Sequence, residues 1–345
     1  MKPITFIRAN KTKHGGAEVY LSRLSEALRE KGITHRVVHS RIPKWLPSWV
    51  RVLRFNADVC RQKSDDELYF SLERISCADI YRAGDGVHRV FVDVEQKSML
   101  NPLHTVYMML EKRCFNNAKR IIANSKMIKR QIIETYDIDA QKVAVVYNGI
   151  KLETVDREAA KERLMQEFMW EENDMLFLYV GSGFKRKGVR EFLQILSKLK
   201  GKRFRAFVVG KEKRMDEYRA LAKALGLSGK VYFTGARDDV KDFYAISDIF
   251  LFPTHYEPFS NVVLEAMWFE NAVFTTRQNG ASEILDKACI MENPNDTAVV
   301  KKIEALFTNP EKLAKMKADN KAQAGCFSIE KNVEETLRVI NEVVR

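Results

Sequence analysis

The feature that most constrains the fold is the alternation of short β-rich runs with helix-type patterns along the chain. Ile4–Arg8 predicts a first strand, and the apolar residues that follow it repeat at helical spacing until Gly32 ends the helix. Further strands are predicted at His35–His39, Arg120–Ala123, Val143–Val146, Leu176–Val180, Arg205–Val209, Lys230–Phe233, Ile249–Phe252 and Ala272–Thr275. Strand–helix alternation of this kind predicts parallel sheets covered by helices on both faces, an α/β fold.

The length of 345 residues suits two domains better than one. Tyr147-Asn148-Gly149-Ile150 is a turn signal directly after a predicted strand. We therefore predict an N-terminal domain over residues 1–149 and a C-terminal domain over 150–327. A last helix over 328–345 is predicted to pack back toward the N-terminal domain.

The five cysteines are scattered and contain no CxxC pair, which argues against a disulfide framework and a structural zinc site. Reduced thiols in the cytoplasm are the expectation. Residues 1–8 do not form a signal peptide pattern, and no apolar run approaches the roughly 18 residues of a membrane span.

The net charge of +12 lies mostly in the first domain, where residues 1–63 hold 14 Lys and Arg against 4 Asp and Glu. This asymmetry predicts an anionic partner for that domain: phosphorylated carbohydrate, anionic lipid or nucleic acid. The sequence offers no nucleic-acid motif and no interleaved aromatic and basic platform, which argues against nucleic acid.

Two segments of the second domain follow strands, where ligands bind in open parallel sheets. Gly181–Gly188 contains Lys185, Arg186 and Lys187 between a strand and an amphipathic helix, and such cations suit a diphosphate. A solvated basic helix start is the alternative.

In the second segment, Glu257 lies in a loop after a strand, Ser260 is a candidate N-cap, and Glu265 lies on the following helix. Two carboxylates at a crevice suit the vicinal hydroxyls of a sugar and a ribose. Each could alternatively be an ordinary surface charge.

These motifs together resemble the retaining glycosyltransferase family 4 of the GT-B fold, which has two Rossmann-like domains with parallel sheets that face each other across a cleft. The resemblance covers nearly the whole chain. It rests on the Glu257–x7–Glu265 spacing, Asn279–Ile284, Gly235-Ala236-Arg237, Asp248, Asn148-Gly149 and Gly15-Gly16.

The resemblance implies specific roles for these residues. Glu257 looks like the carboxylate beside the donor sugar, Glu265 like the one that holds the ribose, and Lys187 like the lysine that neutralises the leaving diphosphate. The expected donor-binding residues are Gly15, Gly16, Ser182, Arg186, Lys187, Phe259, Ser260, Asn261 and Glu265. The family needs no metal or other cofactor. Asp137-Ile138-Asp139 formally matches a DxD motif, but we predict that its aspartates are turn residues beside a helix end.

Two departures from the family pattern are present. Ser182 stands where many members have arginine, and in this chain the corresponding cation is Arg186, four residues later. This pattern is similar to that of the lipopolysaccharide core glucosyltransferase I subgroup. Glu270-Asn271-Ala272 stands where the family usually has Gly-x-Pro, and we expect Asn271 to take the left-handed conformation at a helix end.

On the acceptor side, Tyr81–Arg89 is predicted to follow a strand, and within it Asp85 is flanked by glycines and resembles the acceptor-side aspartate of that subgroup. A plain turn aspartate is the alternative, and His88 is an alternative base. The predicted catalytic residues are thus Asp85, Arg186, Lys187 and Glu257.

Two segments are candidates for contact with a membrane. In Lys44–Phe55, the residues Trp45, Leu46, Trp49, Val50 and Leu53 are predicted to share a helical face beside cations, as in an interfacial helix, or else to face the core. Val87–Arg120 is the second candidate, similar in position to the membrane-interacting region of the subgroup.

The predicted function is retaining transfer of a hexose, with glucose from UDP-glucose preferred, to a heptose or similar sugar of a lipopolysaccharide inner core. The predicted partners are a nucleotide sugar, a phosphorylated glycolipid acceptor and the anionic inner-membrane surface, without nucleic acid, and the predicted location is cytoplasmic at that membrane. The alternatives are a family-4 enzyme that acts on a polyprenyl-linked or capsule acceptor and a basic, non-catalytic binder of nucleic acid or membrane.

Overall fold

The computed structural model describes residues 2–11 and 16–344, which form two compact units. Unit 1 contains the chain up to Asn148 together with the segment from Ile329, and unit 2 runs from Gly149 to Ser328. Within the described residues, each unit holds one six-stranded sheet whose neighbouring strands are all parallel. Both units therefore have the α/β architecture that the alternating pattern predicts.

The strands of unit 1 are β1 (Ile4–Ile7), β2 (His35–Val38), β3 (Leu68–Ser71), β4 (Ile80–Ala83), β5 (Arg120–Ala123) and β6 (Val143–Val145). Its first helices are α1 (Gly16–Glu30), α2 (Ser48–Arg61), α3 (His88–Val94), α4 (Pro102–Asn117) and α5 (Lys126–Tyr136). The sheet order is β2-β1-β3-β4-β5-β6, so the order along the chain reverses between β1 and β3.

The strands of unit 2 are β7 (Met175–Val180), β8 (Phe204–Val209), β9 (Val231–Gly235), β10 (Ile249–Phe252), β11 (Ala272–Thr276) and β12 (Ile290–Met291). Its helices are α6 (Arg157–Glu167), α7 (Phe184–Lys187), α8 (Val189–Ser197), α9 (Met215–Ala224), α10 (Val240–Ile246), α11 (Asn261–Trp268), α12 (Ala298–Thr308) and α13 (Pro310–Ala324). The sheet order is β12-β11-β10-β7-β8-β9, and the reversal lies between β7 and β10.

Helix α14 (Ile329–Val344) returns to unit 1 after the whole of unit 2. Its apolar face, which includes Val333, Leu337 and Ile340, is buried in the same core cluster as β1 and α1. The Tyr20 hydroxyl lies 3.1 Å from the Thr336 hydroxyl in that buried contact. Unit 1 is therefore completed by residues distant in sequence.

Two strands of unit 1 differ from the sequence prediction. The strand β3 was not among the predicted strands. In β4, Tyr81, Arg82 and Ala83 form the strand itself, whereas the sequence pattern predicts that they follow a strand. The buried Arg82 is accommodated because its guanidinium donates to the Asn148 side chain at 2.8 Å and lies over the Tyr20 ring.

The prediction of five reduced cysteines is wrong for one pair. Cys60, near the end of α2, is bonded to Cys77 in the β3–β4 connection, with the Cα atoms 5.7 Å apart. The two residues are 17 positions apart, and only the packing of α2 brings them together. Cys114 and Cys289 are buried free thiols, and Cys326 is exposed.

The left-handed residue at the end of α11 is Glu270, with φ of 59°, and not Asn271 as predicted. Asn271 is fully buried, and its side-chain amide donates to the carbonyl oxygens of Tyr244 and Phe269. Its role is therefore to satisfy buried backbone groups.

Among the described residues, no helix combines the length and the apolar character that crossing a bilayer requires.

Candidate active site

The site in unit 2 lies where the strand order reverses. The chain leaves β7 toward β8 and β9 on one side, and β10–β12 lie on the other. In open parallel sheets, ligands bind beyond the carboxyl ends of the strands at such a switch point. Arg186 and Lys187 follow β7, and Glu257 follows β10, so both predicted segments meet at this place.

The three cations occupy a one-turn helix, α7, rather than a loop before the long helix. Gly188 ends it with φ of +80° and separates it from α8. A Cβ atom at Gly188 would lie 1.9 Å from the Pro253 carbonyl oxygen, so only glycine permits this approach to the loop after β10. The same two segments are joined by the His255 amide, which donates to the Arg186 carbonyl at 2.9 Å.

Arg186 and Lys187 converge on one carboxylate. The Arg186 Nη1 lies 2.9 Å from Glu257 Oε2 and also donates to the Tyr256 carbonyl at 2.5 Å. The Lys187 Nζ lies 3.6 Å from the same Oε2. The three side chains are 27%, 18% and 16% exposed, respectively, and such partial burial strengthens their interaction relative to a surface pair. Two cations against one carboxylate leave a net positive charge at the switch point.

Lys187 is held in place by more than charge. Its ammonium lies 5.6 Å from the centroid of the Phe252 ring, and its stem lies against Gly181. A Cβ atom at Gly181 would come within 3.0 Å of the Lys187 Cδ. Glycine after β7 therefore makes room for the lysine.

Glu257 is anchored through its backbone as well. Its amide donates to the Gln278 carbonyl at 3.0 Å, and its carbonyl accepts from the Gly280 amide at 2.9 Å. The loop is thereby fixed against the 3₁₀ turn Gly280–Ile284 of the Asn279–Ile284 motif.

Glu265 lies on α11, where Tyr244 of α10 donates its hydroxyl to Oε2 at 3.1 Å. Tyr244 is fully buried, and burial together with the Glu265 charge raises the pKa of its hydroxyl well above the usual range. The tyrosine is therefore a permanent donor that orients the carboxylate. Sequence reasoning missed this residue, since its partner lies 21 positions away on another helix.

The other residues that were predicted to bind the donor differ in burial and in hydrogen bonding. The Ser182 hydroxyl accepts from the Lys211 amide at 3.1 Å, and Phe259 and Ser260 are buried. Ser260 is the N-cap residue of α11, as predicted, although its side chain makes no capping hydrogen bond. Asn261 is the first residue of α11. Gly15 lies outside the described residues, and Gly16 begins α1.

On the side of unit 1, Asp85 is exposed in the turn after β4. The Asn124 side chain holds this turn by donating to the Gly84 carbonyl at 3.0 Å. His88 is instead buried, with Nε2 3.0 Å from His104 Nδ1, and burial lowers the pKa of His88 to about 4. Of the two candidates, Asp85 is therefore the one whose side chain is open to solvent.

Two charged groups near Asp85 were not found from the sequence. Arg8, after β1, pairs with Glu73, after β3, at 2.9 Å, and these strands flank the reversal in unit 1. Burial raises the pKa of Glu73, and the charge of Asp85 raises it further against the opposing effect of Arg8. The strand β3 itself was not predicted, so the sequence could not place Glu73 at a strand end.

A buried ionic network around Glu111 was also not predicted from the sequence. Glu111 of α4 is fully buried and accepts from Arg74, from the Tyr136 hydroxyl and from the His88 amide, at 2.9, 2.8 and 2.9 Å. The amide contact fixes the chain just after Asp85. A lone glutamate among the apolar residues of α4 was the signal that could have revealed it.

The DxD-like segment has structural roles, as predicted. Asp137 ends α5 in the left-handed conformation, and Asp139 accepts from the Gln141 amide to cap a short 3₁₀ turn.

The first membrane candidate does not form the predicted helical face. The helix α2 begins at Ser48, so Trp45 and Leu46 lie in the turn before it, and Pro47 separates the two parts. Phe55 and Val59 face the core, whereas Trp45 is 81% exposed. In the second candidate, Leu100 is 93% exposed in the connection before α4.

Two family models match the chain. "Glycosyl transferases group 1" matches residues 160–323, and "Glycosyltransferase Family 4" matches residues 85–154. The first match contains Arg186, Lys187, Glu257 and Glu265, and the second begins at Asp85. The chain belongs to glycosyltransferase family 4.

Curated relatives of this family-4 glycosyltransferase resemble parts of it. The lipopolysaccharide glucosyltransferase WaaG of Escherichia coli K12 is 38% identical over 122 residues, which are 34% of this chain and 32% of WaaG. The capsular polysaccharide biosynthesis glycosyltransferase CapM of Staphylococcus aureus is 30% identical over 217 residues, 59% of this chain and 56% of CapM.

A third relative is the N-acetylgalactosamine-N,N'-diacetylbacillosaminyl-diphospho-undecaprenol 4-alpha-N-acetylgalactosaminyltransferase of Campylobacter jejuni. It is 26% identical over 216 residues, 61% of this chain and 57% of the relative. This chain thus spans little more than half the length of CapM and of the Campylobacter jejuni enzyme.

Solved structures show the same fold over the full length of this family-4 chain. A crystal structure of WaaG superposes with a TM-score of 0.81 at 19% identity and covers 98% of this chain and 99% of WaaG. A structure of Anabaena HepE in complex with UDP-glucose gives 0.74 at 18% identity and covers 99% of each chain. The fold is GT-B, as the resemblance implied.

Proposed function

We propose that this chain transfers a hexose, glucose from UDP-glucose, to a heptose or similar sugar of a phosphorylated lipopolysaccharide inner core. The observation that carries the proposal is the convergence of Arg186 and Lys187 on Glu257 at the β7/β10 switch point. The choice of substrates is supported by a relative named lipopolysaccharide glucosyltransferase and by a neighbour solved with UDP-glucose.

The two cations suit the diphosphate of the donor. As the bond to the sugar breaks, negative charge develops on the leaving phosphate, and fixed cations in a partly buried site stabilise that charge. Arg186 offers a planar fork of donors, while Lys187 acts as a point charge. The proposed reaction is metal-independent, since these side chains bring the positive charge that a divalent ion would otherwise supply.

The acidic residues would bind hydroxyl groups. Glu265, oriented by Tyr244, would accept from the two ribose hydroxyls, and Glu257 would accept from the donor sugar. Backbone amides around Phe259, Ser260 and Asn261 and the segment with Ser182 would bind the phosphates and sugar.

We assign retention of anomeric configuration by a front-face route. A carboxylate paired with two cations, as Glu257 is, makes a weak covalent nucleophile. The acceptor oxygen bonds to the anomeric carbon as the bond from that carbon to the phosphate oxygen breaks. The acceptor hydroxyl proton passes to an oxygen of the departing diphosphate, which leaves as UDP.

Asp85 would orient the acceptor, since its exposed carboxylate stands in a fixed turn. The acceptor is lipid-linked in this proposal, so the enzyme would work in the cytoplasm, peripherally bound to the anionic inner membrane.

A second acceptor class has its own support. The relatives with the longer matches are named for an undecaprenyl diphosphate-linked acceptor and for capsule biosynthesis. Transfer to a polyprenyl-linked sugar, with no transfer to core heptose, would select this alternative.

The test begins with a panel of nucleotide sugars in a thermal-shift assay. A true donor stabilises the native state by about 2.7 kcal/mol at a hundred times its dissociation constant. UDP-glucose should give the largest shift among UDP-, GDP- and ADP-sugars, with and without EDTA. Product analysis by NMR should then show the α-anomer from an α-linked donor. No shift with any sugar nucleotide, or a shift that EDTA removes, would contradict the proposal.

A further inference from the structure

A cavity lies in unit 1 beside β2, which β1 and β3 separate from β4, the strand that Asp85 follows. It is an open groove of about 830 Å³ between β2 and α2. Strand β2 is the edge of the sheet, so the groove opens beside an edge that no other described strand covers. Its lining residues include the segment Arg41–Pro43 and the C-terminal half of α2 from Arg54.

The groove is strongly cationic. Four arginines line it, together with His39 and a single carboxylate, Asp58; the arginines are Arg36, Arg41, Arg54 and Arg61. Arg36 pairs with Glu67 at 2.8 Å, and Arg61 lies 3.6 Å from Asp58.

The other two arginines are not neutralised. Arg41 and Arg54 are exposed, and neither forms an ion pair within residues 2–11 and 16–344. Guanidinium groups bind phosphate through two parallel hydrogen bonds, so both side chains suit a phosphate group.

Aromatic residues adjoin the groove in sequence. Trp45 is 81% exposed and follows the lining residue Pro43 by two positions, and Trp49 is 38% exposed in the first turn of α2. Exposed tryptophans beside cations are typical of surfaces at the headgroup level of a membrane, where the ring has an apolar body and a polar N–H.

We propose that the β2–α2 groove binds the phosphate groups of anionic phospholipids and that Trp45 enters the headgroup layer beside it. The inference deepens the proposed function, because it names the surface by which unit 1 would meet the membrane that carries the acceptor. It concerns binding without donor or acceptor, so it can fail while sugar transfer stands, and the reverse also holds.

The test uses the full chain and vesicles of phosphatidylcholine with and without 30 mol% phosphatidylglycerol, in a co-sedimentation assay. The double variant R41Q/R54Q should bind the anionic vesicles roughly tenfold or more weakly than the wild type, since each basic residue near an anionic surface contributes about fivefold. The control R130Q/R338Q removes the same charge from exposed i,i+4 pairs on other helices of unit 1 and should bind like the wild type.

Tryptophan fluorescence gives a second, local readout. The emission of the wild type should shift to shorter wavelength on anionic vesicles, and W45A should lose most of that shift while its thermal unfolding stays unchanged. Thermal unfolding of R41Q/R54Q should also match the wild type, because both side chains are exposed.

Three results would overturn the inference. The first is equal vesicle binding by R41Q/R54Q and its control. The second is binding of inorganic pyrophosphate that the double variant loses, without any binding to vesicles, which would assign the groove to a soluble phosphate. The third is salt-resistant binding of a DNA duplex with no vesicle binding. Donor-induced thermal shifts, measured in parallel, report on the proposed function separately.

Discussion

At the scale of single residues, the site depends on which charges face each other. Sequence spacing brought Arg186, Lys187 and Glu257 to neighbouring strand ends, because parallel strands end at one edge of a sheet. It could not reveal that both cations share one carboxylate oxygen, since that geometry depends on the one-turn helix α7 and on Gly188.

Lys187→Ala should leave the fold intact and lower kcat by about 10²–10³, the usual cost of removing one preorganised charge-stabilising group. Steady-state kinetics with UDP-glucose measure it. Lys185→Ala is the matched control, because Lys185 is exposed on the same turn, and it should keep near-normal kcat. Equal losses in both variants would remove Lys187 from its assigned role.

Tyr244→Phe should raise KM for the donor by about fivefold with little change in kcat, since one hydrogen bond of about 1 kcal/mol that orients Glu265 is lost. Tyr232→Phe is the control; its hydroxyl donates to the Met169 carbonyl on the surface of unit 2. A fall in kcat at constant KM for Tyr244→Phe would show that the tyrosine does not act through ground-state donor binding.

At the scale of elements, long periodic helices and apolar strands were predictable, and contacts between them were not. Val189–Ser197 and Ile249–Phe252 have clear patterns and lie close to where the sequence placed them. β4 was misplaced because a buried Arg82 reads as a surface residue until its partners, Asn148 and Tyr20, are known.

The contact between α7 and the loop after β10 can be tested through glycine. Gly229→Ala isolates the cost of a left-handed alanine, about 1 kcal/mol, because its Cβ would meet nothing within 4 Å. Gly188→Ala adds a clash with Pro253 and should lose about 2 kcal/mol more of unfolding free energy in urea titrations. Similar losses for the two variants would mean that the Pro253 segment moves away easily.

The buried network under α3 and α4 makes a second prediction for stability. Glu111→Gln should lower the free energy of unfolding by about 3 kcal/mol, because it leaves the nearly buried Arg74 without its counter-charge. Asp93→Asn, which removes an exposed partner of Arg89, should change it by less than about 0.5 kcal/mol. Urea unfolding of both variants decides, and a small effect of Glu111→Gln would mean that water reaches Arg74.

At the scale of the whole molecule, the division into two α/β units follows from length and alternation. Packing decides to which unit a given residue belongs. Helix α14 is the example, since it follows unit 2 in the sequence but packs in the core of unit 1. The Cys60–Cys77 bond likewise joins positions that only the folded unit brings together.

Leu337→Ala and Ile340→Ala should each destabilise unit 1 by about 3 kcal/mol, because both side chains are buried in its core. Hydrogen exchange should accelerate in β1 and remain unchanged in β10 of unit 2. Arg338→Ala, on the exposed face of α14, should leave both strands protected. Faster exchange in β10 as well would show that the two units unfold together.

The return of α14 also sets an order for biosynthesis. The sheet of unit 1 leaves the ribosome early, yet part of its apolar surface waits until residues 329–344 have been translated. Unit 2 is a continuous segment, so all of its strands and helices have been translated before α14. Until then, the nascent N-terminal half exposes the apolar surface that α14 later covers, and such exposed surface favours aggregation.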